Sequence, residues 1–274
     1  MPELPEVETI LKGIKKELIG KKISKAEVLF RGIVKTPVRT FQGELAGAVI
    51  RGASRRSKFL LMELDKPFVV LIHLKMTGQL LYSRERRKTP HTHLILHFSD
   101  GTFLHYLDIR KFGAWWLYPR EGLARVKELK KVGEEPLGPA MNWDRFNELL
   151  DGKKGKLKPL LMDQTFICGM GNIYSDEILY RARIHPLRQL QTLKPLERKE
   201  LFHAMKTKLE EGIRRGGCSM DTYLNLTGGK GTMQEHLLVY GRKEGKCLRC
   251  GTGIKTLRLS GRTGHFCPYC QRLT

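Results

Sequence analysis

Two Cys-x-x-Cys steps near the C-terminal end set the strongest limit on what this chain can fold into. They are Cys247-Leu248-Arg249-Cys250 and Cys267-Pro268-Tyr269-Cys270, with sixteen residues between them. Each step fits one tight turn that aims two thiolates at the same metal, and two such turns on facing hairpins close a tetrahedral four-cysteine site. Gly251, Gly253, Gly261, Gly264 and Pro268 supply turn chemistry around it. Four thiolates leave no open coordination position, so one Zn2+ is expected, with a structural role. Cys168 and Cys218 lie far apart without mates and read as free thiols, which suits a reducing compartment, the cytoplasm.

The finger segment 241–274 carries eight Lys/Arg and one Glu, a net charge of +7. The whole chain of 274 residues is also basic, with 50 Lys plus Arg against 28 Asp plus Glu and a formal charge of +22. An excess of that size, combined with a basic zinc module, points to a polyanionic partner, and nucleic acid fits best. Hydrophobic residues make up 41% of the chain, enough for a substantial core. No apolar run approaches the ~18 residues of a membrane span. The chain does not open with a basic stretch followed by an apolar one, so no secretory leader is expected. Nothing points to an oligomer, and a monomer is expected.

Along the chain, Val7, Ile10, Leu11, Ile14 and Leu18 recur at helical spacing, and Gly20 can stop the helix. From about 23 to 118 the pattern changes to short runs rich in branched and aromatic residues: ISKAEVLF, KFLLMEL, PFVVLIHL, HLILHF, TFLHYL and AWWLY. Asp100-Gly101 between two of them is a hairpin signal. These runs predict a β domain of about six to eight strands, a sandwich or barrel. GEEPLGPA (133–140) marks a boundary, and Leu201, Phe202, Met205, Leu209 and Ile213 line one face of a later helix that stops at Gly216-Gly217. The stretch 218–236 is rich in Gly and Thr and reads as a mobile loop.

The opening MPELPEVETI places Glu3, Glu6 and Glu8 beside Pro2 and Pro5. If Met1 is removed, Pro2 presents a secondary amine. With a pKa near ~7.7–8.0, part of it is an unprotonated nucleophile at neutral pH. Such an amine attacks an aldehyde-level carbon to give an imine, and Glu3 and Glu6 are placed to supply acid–base chemistry. Taken alone, acids and a proline in the first turn of a helix are as well explained by the helix dipole.

The rest of the chain tips that balance. PELPEVET, KFGA after DIR, GMGNIY and the terminal four-cysteine module occur here in the same order as in the bacterial formamidopyrimidine-DNA glycosylases, and the resemblance covers essentially the whole chain. It implies an α+β multidomain protein: an N-terminal helix plus an antiparallel β-sandwich, a helix–two-turn–helix domain, and a C-terminal β-hairpin zinc finger. The expected divisions are 1–132, 133–236 with a lesion-recognition loop at 216–233, and 237–274. The implied activity is a bifunctional DNA glycosylase and abasic-site lyase of base excision repair. It would remove 8-oxoguanine and formamidopyrimidines from double-stranded damaged DNA in a bacterial cytoplasm. The alternatives are an endonuclease VIII-like enzyme for oxidised pyrimidines and a catalytically inactive lesion-binding protein. The PELPEVE opening and the long Gly-rich loop argue against the first, and the presence of Pro2, Glu3 and Lys58 argues against the second.

The resemblance also implies roles. Pro2 is the nucleophile at C1′, Glu3 the general acid at the sugar ring oxygen, and Glu6 a carboxylate that positions water or the intermediate. Lys58 of RRSKFL contacts phosphate and assists elimination, and Arg262 at the finger hairpin binds phosphates flanking the lesion and is implicated in the second elimination. Met76 and Phe112 match wedges that fill the space of an extruded nucleotide, and Arg110 matches the residue facing the orphaned cytosine. His91, Lys154, Lys158 and Asn172 match DNA contacts. Taken singly, Met76 and Phe112 read as core residues and Lys58 as a solvated strand end. Cys218 and Asp221 stand where many members carry a small hydroxyl and a basic residue.

Overall fold

The computed structural model describes residues 1–273. They divide into two compact units, one of residues 1–130 and 213–234, the other of 131–212 and 235–273. This partition differs from the sequence-order divisions expected above: the 216–233 segment counts with the N-terminal unit, and the helical segment counts with the finger.

The first unit begins with α1 (Leu4–Glu17). Pro5 sits at its start, where a missing N–H costs nothing, and Lys15 and Lys16 fall in the last turn, opposite the negative end of the dipole. Val7, Ile10, Leu11 and Ile14 face the core, and Gly20 follows the helix in the left-handed region with φ 85°. The strands are β1 (Ile23–Val28), β2 (Ile50–Arg56), β3 (Phe59–Leu64), β4 (Phe68–His73), β5 (Gly78–Ser83), β6 (Thr92–Phe98), β7 (Phe103–Asp108) and β8 (Ala114–Pro119). A short α2 (Val38–Leu45) packs on β1, and α3 (Lys127–Lys130) closes the segment.

The strands form two antiparallel four-stranded sheets, β1-β6-β7-β5 and β2-β3-β4-β8. Their inner faces share one core. Leu80, Leu94, Leu96, Leu104 and Tyr106 come from the first sheet, and Leu60, Met62, Val70, Ile72 and Trp115 from the second. The expected β-sandwich is therefore present, with α1 packed against β2 and β3. Two connections cross between the sheets at one edge. Residues 74–77 link β4 to β5, and 109–113 link β7 to β8. Gly78 pairs with Asp108 and His73 with Ala114, so the register sets these two connections side by side.

The 213–234 segment is not the loose loop its composition suggests. Tyr223 and Leu226 are buried in the same core as the sandwich. The Tyr82 N–H donates to the Leu226 carbonyl at 2.7 Å, and the Gln79 side chain donates to the Thr222 carbonyl. Two apolar anchors suffice to fasten a polar segment, and a low average hydrophobicity hides them.

The second unit contains α4 (Trp143–Leu150), α5 (Leu157–Leu161), α6 (Asn172–Arg181) and α7 (Pro195–Arg214), then the hairpin β9 (Lys255–Leu259) and β10 (Arg262–Phe266). Asn142 caps α4 by accepting the Arg145 N–H at 2.8 Å. Trp143, Phe146 and Phe202 stack α4 against α7. Between α5 and α6 the chain makes two turns, one closed by the Phe166 N–H on the Asp163 carbonyl, the other passing through Gly169 at φ 91°. The helix reaching toward Gly216-Gly217 ends at Arg214. No helix among the described residues is long and apolar enough to cross a membrane.

Candidate active site and zinc centre

Pro2, Glu3 and Glu6 are all buried, the two acids at 2% and 1% exposure. The Glu3 N–H donates to Glu6 Oε2 at 2.7 Å, the reciprocal arm of a helix capping box. The other oxygen, Oε1, accepts the Cys218 N–H at 2.8 Å. Tyr223 donates its hydroxyl to the carbonyls of Glu6 (3.3 Å) and Gly216 (3.1 Å). Burial, then the Glu6 charge, pushes the Tyr223 phenol well above its usual range, so it stays a donor. The acids are thus built into the fold where a carboxylate would otherwise be costly to bury.

Lys58 lies in the two-residue turn joining β2 and β3, where Ser57 has φ 55°. Arg55 fixes that turn, with its guanidinium donating to the Ser57 carbonyl at 2.8 Å and to Glu8 of α1 at 2.9 Å. Lys58 is only 5% exposed, so the solvated-strand-end reading does not apply. His73 is nearby. Burial, with the charges of Lys75 and Lys58, presses its imidazole down to about 3, and the neutral ring accepts the Lys75 N–H on Nδ1 at 2.9 Å.

Met76 and Phe112 are not core residues. They are 39% and 53% exposed, and Ile109, which no sequence signal singles out, is 53% exposed. Met76 lies in the β4–β5 turn, and Ile109 and Phe112 lie in the β7–β8 loop. Arg110 in that loop is also exposed and stacks its guanidinium 4.7 Å from the Phe112 ring centre. His91 is exposed as well, in the turn before β6.

In the second unit Lys154 is exposed, but Lys158 is 1% exposed. The Lys158 ammonium donates to Asn172 at 2.7 Å and pairs with the fully buried Asp176 at 2.5 Å. Lys158, expected as a DNA contact, is in this structure an internal cation that holds Asn172. Asp176 also accepts the His265 N–H of β10 at 2.9 Å, and the Asn172 amide donates to the Thr263 carbonyl at 3.0 Å. The start of α6 is therefore bonded to the finger hairpin. Ser260 and Gly261, both with positive φ, make the hairpin turn, and Arg262 follows, exposed. A surface pocket is lined by Lys158, Met162, Leu259 and Arg262.

The sulfurs of Cys247, Cys250, Cys267 and Cys270 lie within 4.8 Å of one another, with 3.8 Å between Cys247 and Cys270 and 3.5 Å between Cys250 and Cys267. Tetrahedral Zn–S bonds of ~2.3 Å put sulfurs about 3.8 Å apart, so the four fit Zn2+. The chemistry agrees. Burial opposes ionisation of Cys247, but hydrogen bonds from Tyr180 and the Arg249 and Cys250 N–H groups bring it down to about 6. Burial and the neighbouring sulfurs push Cys270 up to about 12. Thiols that oppose one another's ionisation need a central cation to be thiolates together. Tyr180, Val239 and Ile254 pack around the cluster, and Arg249 covers the Tyr180 ring at 4.2 Å.

These features define a protein of the zinc-finger, helix–two-turn–helix class, built on a β-sandwich with a buried acid pair at its leading helix. Family comparisons agree along the chain. Residues 1–115 match the formamidopyrimidine-DNA glycosylase N-terminal domain, 132–223 its H2TH domain, and 245–273 the zinc finger found in FPG and IleRS. The formamidopyrimidine-DNA glycosylase of Pelotomaculum thermopropionicum is 40% identical, covering 100% of both chains, and that of Enterococcus faecalis is 41% identical over 100% of this chain and 98% of its own. Among solved structures, a variant Lactococcus lactis FPG in complex with Fapy-dG containing DNA superposes with a TM-score of 0.93 at 38% identity, covering 99% of this chain and 100% of that one. A Lactococcus lactis Fpg complex with abasic-site DNA gives 0.92 at 37%, covering 98% and 99%. The chain belongs to the formamidopyrimidine-DNA glycosylase family.

Proposed function

We propose that this protein is a bifunctional glycosylase and abasic-site lyase that removes oxidised purines, 8-oxoguanine and formamidopyrimidines, from duplex DNA. The observation that carries the reading is the burial of Pro2, Glu3 and Glu6 together at the head of α1, where Glu6 accepts the Glu3 backbone N–H. A nucleophilic amine needs a defined position and a proton donor for the leaving oxygen, and the burial of Pro2 next to two acidic residues at a helix start supports that reading. The related structures bound to Fapy-dG and abasic-site DNA support the substrate class.

The steps follow from the chemistry of an N-terminal amine. The Pro2 nitrogen attacks C1′ and the base leaves with its bonding pair, neutralised by the proton that the amine nitrogen gives up. Glu3 delivers a proton to the ring oxygen as the C1′–O4′ bond breaks, leaving an iminium. Loss of a C2′ proton expels the 3′ phosphate, and loss of a C4′ proton expels the 5′ phosphate. Lys58 and Arg262 are assigned to the phosphates involved, Glu6 to water or the intermediate. Met76, Arg110 and Phe112 are assigned to the space left by the extruded nucleotide. Lys154, Asn172 and His91 are assigned to backbone contacts, with Lys158 acting through Asn172. Zinc, held by the four cysteines, keeps the finger folded and takes no part in the chemistry. The divisions 1–132, 133–236 and 237–274 are retained as the functional modules, acting in a monomer in the bacterial cytoplasm, where reduced thiols persist.

Borohydride trapping tests the reading. A reducible cross-link should form with an 8-oxoguanine duplex far faster than with a thymine-glycol duplex. The opposite preference would give the enzyme to oxidised pyrimidines, and binding without any cross-link would make it an inactive lesion binder.

A further inference from the structure

Asp108 is fully buried, yet among the described residues its carboxylate faces hydroxyls and backbone N–H groups rather than a cationic side chain. Its Oδ1 accepts the Thr77 hydroxyl and, at 3.2 Å, the Arg110 N–H. Its Oδ2 accepts the Gly113 N–H at 2.7 Å and the Tyr106 hydroxyl at 3.1 Å. An ionised carboxylate has about four acceptor sites, and four neutral donors fill them. Thr77 belongs to the β4–β5 turn, while Arg110 and Gly113 belong to the β7–β8 loop. Thr77 adds a further link, its hydroxyl oxygen accepting the same Arg110 N–H at 3.1 Å.

The surroundings are shaped for this knot. A Cβ on Gly113 would collide with the Tyr106 hydroxyl, and one on Gly78 would lie 2.8 Å from it. Burial, then the Asp108 charge, holds the Tyr106 phenol protonated, so it remains a donor. Each connection also places a lysine in the left-handed region immediately before its exposed apolar side chain: Lys75 (φ 54°) before Met76 and Lys111 (φ 58°) before Phe112.

We propose that Asp108 is a positioning residue whose single carboxylate locks the Met76 turn and the Arg110–Phe112 loop together, so that the wedge and the reader of the opposite base enter DNA as one rigid piece. The inference rests on the reading that these three side chains enter the duplex. It assigns opposite-base discrimination to a buried acid that touches no DNA.

The test measures excision of 8-oxoguanine opposite cytosine and opposite adenine for Asp108→Asn and for Thr77→Val, which removes only the bridging hydroxyl. Borohydride trapping on a single-stranded abasic oligonucleotide, which has no opposite base, serves as the second readout. Asp108→Asn should reduce the cytosine-to-adenine ratio about tenfold, Thr77→Val by a smaller factor, as loss of charge-assisted hydrogen bonds predicts. Trapping on the single strand should remain within about twofold of the unmodified protein. Equal loss on both substrates would make Asp108 a general support of the fold and overturn the proposal. So would an unchanged ratio in both variants, provided Arg110→Ala lowers it. If Arg110→Ala also leaves the ratio unchanged, the duplex-entry reading fails and takes the proposal with it.

Discussion

The carboxylate of Glu6 accepts the backbone N–H of Cys218 at 2.8 Å while its other oxygen holds the N–H of Glu3 at 2.7 Å. One buried side chain thus joins the residue after Pro2 to the start of the 216–233 segment, which the family resemblance assigns to lesion recognition. Gly217 makes the approach possible. Its φ is +84°, and a Cβ there would lie 2.9 Å from Glu6 Cγ and 3.0 Å from the Tyr223 ring.

Gly217→Ala should therefore act on both partners. Strain and the collision should cost about 1–3 kcal/mol of stability, visible as a lowered melting temperature. Excision of 8-oxoguanine should fall further than cleavage at a pre-formed abasic site, because only the first needs the recognition segment aligned with the nucleophile. Normal excision by the alanine variant would dissociate the segment from the acid pair.

The cysteine cluster yields a prediction about metal. Cys250→Ser should release zinc, since a site of three thiolates no longer closes. The hairpin carrying Arg262 should lose its order while the β-sandwich stays folded. Metal content, near-ultraviolet circular dichroism and duplex affinity report the three parts. Full duplex affinity in a zinc-free variant would remove the finger from DNA binding.

Lys158 and Asp176 form an ion pair with both side chains almost wholly buried. Removing one partner strands the other charge, so Asp176→Asn should destabilise the protein by about 3–5 kcal/mol, measured from its urea midpoint. The double variant Lys158→Met with Asp176→Asn should be more stable than Asp176→Asn alone. Additive losses would show that the two charges do not depend on each other.

His73 gives a pH dependence with a definite sign. Its imidazole is held down to about 3, by burial first and then by Lys75 and Lys58, whereas an unfolded histidine titrates near ~6.5. Between those values the unfolded chain binds a proton that the folded chain refuses. Its contribution to stability is then complete above pH ~6.5 and is lost progressively as pH falls toward 3. His73→Asn keeps an acceptor near the Lys75 N–H but cannot titrate, so its melting temperature should fall less steeply from pH 6.5 to 4. Parallel curves would place the His73 proton equilibrium at its ordinary value.

What the sequence discloses depends on how local each signal is. The zinc cysteines are readable because their geometry is written in two four-residue steps. β3, β4, β6, β7 and β8 are readable because buried strands concentrate branched and aromatic residues, and Asp100-Gly101 marks the turn between β6 and β7. β2, IRGASRR, escapes that test because its arginines are taken up by partners such as Glu8, which lies 47 residues away in sequence from Arg55. Lys154 and Lys158 look alike on the page, and only the fold sends one to solvent and the other to Asp176. Asp108 is a single acid at a strand end, and its meaning arises from a register that sets two distant connections side by side.

The N-terminal amine carries the sharpest prediction. If Pro2 is the nucleophile, activity requires a free secondary amine at a place fixed by the Glu3–Glu6 contact. A retained N-terminal extension would turn that nitrogen into a tertiary amide, whose lone pair is delocalised into the carbonyl and which cannot form an imine. Asn172, Lys154 and Arg262 belong to the other compact unit and keep their own chain environment. The phosphate contacts proposed for them, and the steep salt dependence such contacts produce, should therefore survive. The extended protein should lose both strand cleavage and borohydride trapping while duplex affinity changes little, and the same tag placed after Thr274 should leave activity intact. Glu3→Gln should bind normally and slow opening of the sugar to the iminium, read as borohydride trapping, by about 10²–10⁴-fold, the usual worth of a general acid. A cross-link formed by a protein whose extension is verified intact by mass spectrometry would move the nucleophile elsewhere. Lys58, 5% exposed in its turn between β2 and β3, would be the first residue to examine. Glu3 and Glu6 would then be left with their part in capping α1 and holding Cys218.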